Sequence, residues 1–208
     1  MNDYLKLLNI LCDARVRFVV IGGAAAAAHG SAYPTYDLDI CYDRSRDNLD
    51  RLAKALEPYH PRLRGVQNNV PFCLDAVTIA SGMNFTLTAD LGDIDLFGEV
   101  IGIGGYKEAR ALSTTLVVLG FQCAVLSLEG LIRCKRATGR PKDLLMLPEI
   151  EALCEMESQV TPPSEPREPS QDGEKPPPHP SLPKAGSELT VSPIPPCLRG
   201  KEGGEESL

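Results

Sequence analysis

The chain has 208 residues, of which 43% are hydrophobic and 5% aromatic; there is no tryptophan, and the net charge is −7. That is enough apolar material for one good-sized domain, and the acidic balance lacks the basic footprint of a dedicated nucleic-acid binder. Cys12, Cys41, Cys73, Cys123, Cys134, Cys154 and Cys197 are odd in number and contain no C-x-x-C pair, which argues against a zinc site or a disulfide framework.

The start lacks the basic and apolar regions of a signal peptide, and no apolar run is long enough for a membrane span. A cytoplasmic protein with no membrane association is expected.

In chain order, Leu5, Leu8 and Leu11–Cys12 recur at helical spacing, so Asn2–Ala14 reads as a helix. Arg17–Ile21 is nearly all apolar, as a buried strand is. Gly22-Gly23 and five alanines then predict a turn and a short helix, followed by a strand over Tyr36–Tyr42. Asp47–Glu57 reads as an amphipathic helix with Leu49, Leu52, Ala53 and Leu56 facing inward, stopped by Pro58. The pattern over Tyr59–Gly82 is weak, with Pro71–Leu74 as a short strand. Asn84–Thr88 and Asp93–Phe97 alternate around Asp90-Leu91-Gly92 and predict a hairpin.

A helical turn near Tyr106–Arg110 comes next, then strands over Thr114–Leu119 and Phe121–Leu126. Ser127 opens a helix reaching about Ala137, and Pro141 opens another reaching about Glu155. Beyond Met156 the character changes. Twelve of the 18 prolines fall in 156–208, with Ser, Glu, Gly and Lys between them. Such a composition cannot bury enough apolar surface to offset the entropy of ordering. The expected organisation is a domain over 1–155 and a disordered Pro-rich tail over 156–208.

The chemistry converges on Gly22–Ile40. Asp37 and Asp39 are two apart on a strand, so both project from one face, about 7 Å from each other. Paired carboxylates on a rigid strand suit hard divalent cations, which take oxygen ligands. The glycine pair lets backbone N–H groups approach an anion, and glycine at such a junction also serves helix–strand packing.

The run from Gly22-Gly23 through the short helix to Tyr33-Pro34-Thr35-Tyr36-Asp37-Leu38-Asp39 resembles the nucleotidyltransferase superfamily. It is most similar to the small bacterial minimal and abortive-infection branch, whose pattern is strand, Gly-Gly or Gly-Ser, helix, then Arg-x-Thr-x-Asp-x-Asp. Tyr33 stands where that pattern has Arg, and Gly23 where it often has Ser. The resemblance implies a third carboxylate on a neighbouring strand. Asp95, in Asp93-Ile94-Asp95-Leu96-Phe97, matches the family's Asp-Leu-Leu element, whereas Asp93 reads as a turn residue beside Gly92. Arg140-Pro141-Lys142-Asp143 is similar to the element that ends the family's helical segment.

From this resemblance, Asp37, Asp39 and Asp95 are the expected catalytic residues and metal ligands, holding two Mg2+ or Mn2+ ions. Gly22, Gly23, Thr35, Lys135 and Arg140 are the expected nucleotide-binding residues. Lys142 adds positive charge, Asp143 would orient one of these cations, and His29 reads as a structural helix-end residue.

The implied fold is α/β: a small mixed sheet with flanking helices, C-terminal helices and the tail. The implied activity is transfer of a nucleoside monophosphate from an NTP to a hydroxyl on RNA, protein or a small molecule. The toxin branch would add a cognate antitoxin as partner. Tyr33 and Gly23 favour an alternative, a nucleotide-binding or protein-interaction module without turnover.

Overall fold

The computed structural model describes residues 4–66, 72–118 and 120–160. Its elements are α1 (Tyr4–Asp13), β1 (Phe18–Val20), α2 (Gly22–Ala28), β2 (Asp37–Tyr42), α3 (Arg46–Leu56), β3 (Arg62–Leu63) and α4 (Ala76–Ser81). There follow β4 (Asn84–Ala89), β5 (Gly92–Phe97), β6 (Glu99–Val100), β7 (Gly104–Gly105), α5 (Tyr106–Ala111) and β8 (Ser113–Val118). The last three are β9 (Phe121–Leu126), α6 (Leu128–Thr138) and α7 (Pro141–Val160). The architecture is mixed α/β, as expected.

Seven strands form one sheet in the order β3-β4-β5-β2-β1-β9-β8, and β6 pairs with β7 in a separate ribbon. The centre is parallel where β2 meets β5 and where β1 meets β9, and antiparallel between β1 and β2. The hairpin read from alternation is β4–β5, with Asn84 opposite Phe97 and Ala89 opposite Gly92. Its even register leaves Leu87, Ile94 and Leu96 fully buried. Leu7, Leu8 and Leu11 of α1 and Leu49, Leu52 and Leu56 of α3 bury their apolar stripes in the same core. Alternation along β2 sends Leu38, Ile40 and Tyr42 to one face and Asp37, Asp39 and Cys41 to the other.

A buried amide ties the sheet to α3. Asn48 Oδ1 accepts from the Arg17 backbone N–H at 2.7 Å, and its Nδ2 donates to the carbonyls of Arg17 (3.0 Å) and Asp43 (2.8 Å). These three backbone groups lie just outside the β1–β2 ladder, so the side chain completes the pairing there.

Several expectations need correction. Phe72–Leu74 lies in no strand, while Pro71 is outside the described residues. The segment after it forms α4 instead, capped by Asp75, whose carboxylate accepts from the Thr78 N–H at 2.7 Å. Asp93 is not a turn residue: it lies within β5 and pairs in register with Asp37. Strand β8 covers most of the expected 114–119 segment, and Leu119 is outside the described residues. Helix α6 is capped by Ser127, as expected, and stops at Gly139, which adopts φ 62°.

Helix α7 runs past Glu155 to Val160 and accommodates Pro148 in its interior. Residues 161–208 of the expected tail lie outside the described residues. No helix among the described residues is long and apolar enough to cross a membrane.

Candidate active site

The parallel register between β2 and β5 builds the site. Asp37 pairs with Asp93 and Asp39 with Asp95, so the acidic positions of two neighbouring strands stand side by side. Asp37, Asp39 and Asp95 each bring a carboxylate oxygen within 4.8 Å of the others. Three anions this close repel one another, and partial burial denies them full hydration. Asp39 bears most of the cost. Burial, then the charges of Asp37 and Asp95, push its pKa up to about 7, while a backbone hydrogen bond from Gly23 and the charge of Lys142 partly oppose the rise. Burial likewise raises Asp95, against the nearby Arg64. A half-buried cluster of three carboxylates, whose charge the nearby Arg64 and Lys142 offset only in part, fits a hard divalent cation.

The glycines are explained by what they face. Gly22 adopts φ +63°, and a Cβ there would overlap the Asp39 carboxylate, lying 2.7 Å from Cγ. A Cβ at Gly23 would come 2.6 Å from Thr35 Oγ1. Thr35 in turn donates toward the Asp37 carbonyl (3.3 Å) and Asp37 Oδ1 (3.4 Å). The Thr35 hydroxyl thus fills the space that a serine at position 23 would need.

A cavity of about 620 Å³ opens beside the triad. Gly22, Gly23, Thr35, Asp37, Asp39 and Asp95 line one side; Leu131, Cys134, Lys135, Thr138, Lys142 and Met146 of the C-terminal helices, with Arg140 between them, line another. Val100, Ile101 and Phe97 add an apolar wall. Every expected catalytic and nucleotide-binding residue therefore borders a single cavity. Its volume lies in the range of small-molecule sites, and it combines apolar walls with a few convergent charges.

The cations are less free than their charges suggest. Lys135 is buried, and its Nζ lies 3.2 Å from Asp143 Oδ1 and 3.3 Å from Met146 Sδ. Arg140 Nε lies 2.6 Å from Asp143 Oδ2, which also accepts from Thr138 Oγ1 at 3.1 Å. Burial would raise the Asp143 pKa, but hydrogen bonds from Arg140 and Lys135 outweigh it and hold the carboxyl below its usual range. Asp143 therefore anchors both cations rather than one. His29 is structural here: Nε2 lies 3.0 Å from the Leu126 carbonyl and Nδ1 3.1 Å from Glu157.

Two features were not visible in the sequence. Arg64, just past β3, reaches Asp95 and Asp93. Glu149 of α7 accepts from Ser31 Oγ (2.9 Å) and the Ala32 N–H (2.7 Å), pinning the loop that leads to Thr35. Tyr33 turns to the same helix, its hydroxyl 3.4 Å from the Leu145 carbonyl.

No family model matches the chain, and no curated protein matches it. Among solved structures it is similar to a provisionally named nucleotidyltransferase from Thermotoga maritima. Identity is 15% over 75% of this chain and 89% of that one, with a TM-score of 0.41. It is also similar to ANT(2″)-Ia in complex with adenylyl-2″-tobramycin, at 16% identity over 76% of this chain and 96% of that one, with a TM-score of 0.44.

Proposed function

We propose that this protein is a metal-dependent nucleotidyltransferase that moves a nucleoside monophosphate from an NTP to a hydroxyl acceptor. The observation that carries the reading is the convergence of Asp37, Asp39 and Asp95 beside a glycine turn in a cavity of about 620 Å³. Asp37, Asp39 and Asp95 would hold the divalent cations, Mg2+ or Mn2+. When bound, such ions polarise phosphoryl oxygens and ease deprotonation of a hydroxyl.

The chain's own residues supply position and charge, which is most of what phosphoryl transfer asks of a protein. The rigid β2–β5 pair fixes the spacing of the carboxylates. Side-chain-free Gly22 and Gly23 let a triphosphate approach the backbone, and Thr35 holds the loop against Asp37. Lys142 and Arg140 bring positive charge to the opposite wall. Lys135 holds Asp143, and through it that wall. The apolar wall of Val100, Ile101 and Phe97 would take the nucleobase and exclude water.

The test uses each α-labelled NTP with Mg2+ or Mn2+ and a cell extract as acceptor pool. The Asp37→Asn, Asp39→Asn double variant is the control. Label entering RNA, protein or a small molecule only with the parent protein supports the reading and names the acceptor class. A toxin role with a cognate antitoxin is its narrower form. It requires growth arrest on expression that Asp39→Asn abolishes.

The second reading, a nucleotide-binding module without turnover, is favoured by the engagement of Lys135 and Arg140 with Asp143 and by Tyr33. Metal-dependent NTP binding with no transfer of label would select it.

A further inference from the structure

The Arg64 guanidinium bridges two carboxylates of one strand. Its Nη1 lies 3.0 Å from Asp93 Oδ2 and its Nη2 2.6 Å from Asp95 Oδ1. Asp93 is held from its other oxygen by Thr88 Oγ1 at 2.8 Å. The Arg64 backbone N–H donates to the Thr86 carbonyl at 2.9 Å, which fixes the start of the side chain. Thr86 and Thr88 are the cross-strand partners of Asp95 and Asp93. The β3 end, β4 and β5 thus form a closed set of contacts that terminates on one oxygen of Asp95.

We propose that Arg64 is a positioning residue for the metal site. It holds Asp95 through one carboxylate oxygen and leaves the other to a cation, while Asp93 and Thr88 set the guanidinium. The inference rests on the metal-dependent reading above. Without the bridge, repulsion from Asp37 and the loss of a fixed partner turn Asp95 away from Asp37 and Asp39. Planar, two-pronged geometry is what arginine offers and lysine does not.

Two effects of losing Arg64 oppose each other. Removing a positive charge strengthens the triad's pull on a cation, whereas releasing Asp95 weakens its grip. The charge of Arg64 is matched by that of Asp93, so removing both leaves the local charge unchanged and isolates the positioning effect. Loss of a group that orients a metal ligand weakens metal affinity by about 10- to 100-fold.

The experiment measures Mn2+ binding from the free-ion EPR signal, with thermal denaturation checking that each variant is folded. Arg64→Gln/Asp93→Asn is expected to bind Mn2+ about 10- to 100-fold more weakly than the parent. Arg64→Lys should fall between them, since it restores the charge and one contact. Thr88→Val, which leaves both charges in place, should weaken binding by a smaller factor and serves if the double variant does not fold.

Parent-like affinity in the folded double variant, or in Thr88→Val should that be the only folded one, overturns the proposal and leaves the metal site standing. A parent protein that binds no Mn2+ beyond the Asp37→Asn, Asp39→Asn control overturns the metal-dependent reading and this inference with it.

Discussion

Gly22 and Asp39 compete for one volume: a side chain on the glycine would overlap the carboxylate of the aspartate. The backbone at Gly22 is also left-handed, at φ +63°. Gly22→Ala therefore carries a conformational cost of about 1–2 kcal/mol and displaces a triad member. The expected outcome is a folded protein with a lowered thermal midpoint and no metal-dependent transfer of label. Denaturation and the NTP assay, run on one preparation, check both halves.

Asp39 predicts how stability follows pH. Its folded pKa of about 7 lies above that of an unfolded carboxylate. The native state then keeps a proton that the unfolded chain gives up. The contribution is full below the unfolded value and is lost as pH rises through 7. Metal-free protein should lose stability between roughly pH 4 and 8 relative to Asp39→Asn, while Mn2+ affinity of the parent rises over that interval. Asp43 and Asp143 are held below their usual range and act in the opposite sense at lower pH. Asp95 is raised as well and acts in the same sense as Asp39, so the difference between parent and variant in urea titrations reports Asp39 together with its coupling to Asp37 and Asp95.

Removing one member of the Lys135–Asp143 pair leaves a buried charge with fewer partners. Lys135→Met is expected to destabilise the protein by about 3 kcal/mol. Adding Asp143→Leu should recover a large part of that loss, because two apolar residues need no partner. Equilibrium unfolding of the two variants decides it. A stable Lys135→Met protein that fails to bind NTP would instead make Lys135 a direct nucleotide contact.

The fully buried Asn48 side chain makes three hydrogen bonds to backbone groups and a longer fourth from Arg51 Nη2, at 3.4 Å. Asn48→Ala leaves the N–H of Arg17 and the carbonyls of Arg17 and Asp43 without this partner. A loss of about 2–3 kcal/mol is expected, with little change in metal affinity because the side chain is remote from the triad. Urea denaturation and Mn2+ titration together test that separation.

What was legible in the sequence was local. Asp37 and Asp39 share a face because strand side chains alternate, and Leu87, Ile94 and Leu96 mark the hairpin by the same rule. Ser127 announces α6 because its hydroxyl caps a helix three residues away. Asp75 carried the same signal for α4, but a six-residue helix has too little periodicity to stand out.

Arg64 was hidden for another reason. It follows a strand of only two residues, and its meaning depends on Asp93 and Asp95, 29 and 31 positions away. The partners of Lys135 and Arg140 are close in sequence, but spacing alone could not decide whether those cations face a ligand or Asp143.

Helix α7 reaches back to the loop after α2: Glu157 to His29, and Glu149 to Ser31 and Ala32, across separations of 117–128 residues. The loop that presents Thr35 to Asp37 is thus held by residues synthesised more than a hundred positions after it. A nascent chain exposes the glycine turn and both β2 aspartates long before Glu149 leaves the ribosome, since synthesis runs from the N-terminus. Until then the loop lacks its latch. The order of translation itself delays completion of the cavity, and a chain cut short before α7 would carry the acidic triad without the brace that keeps its rim in place.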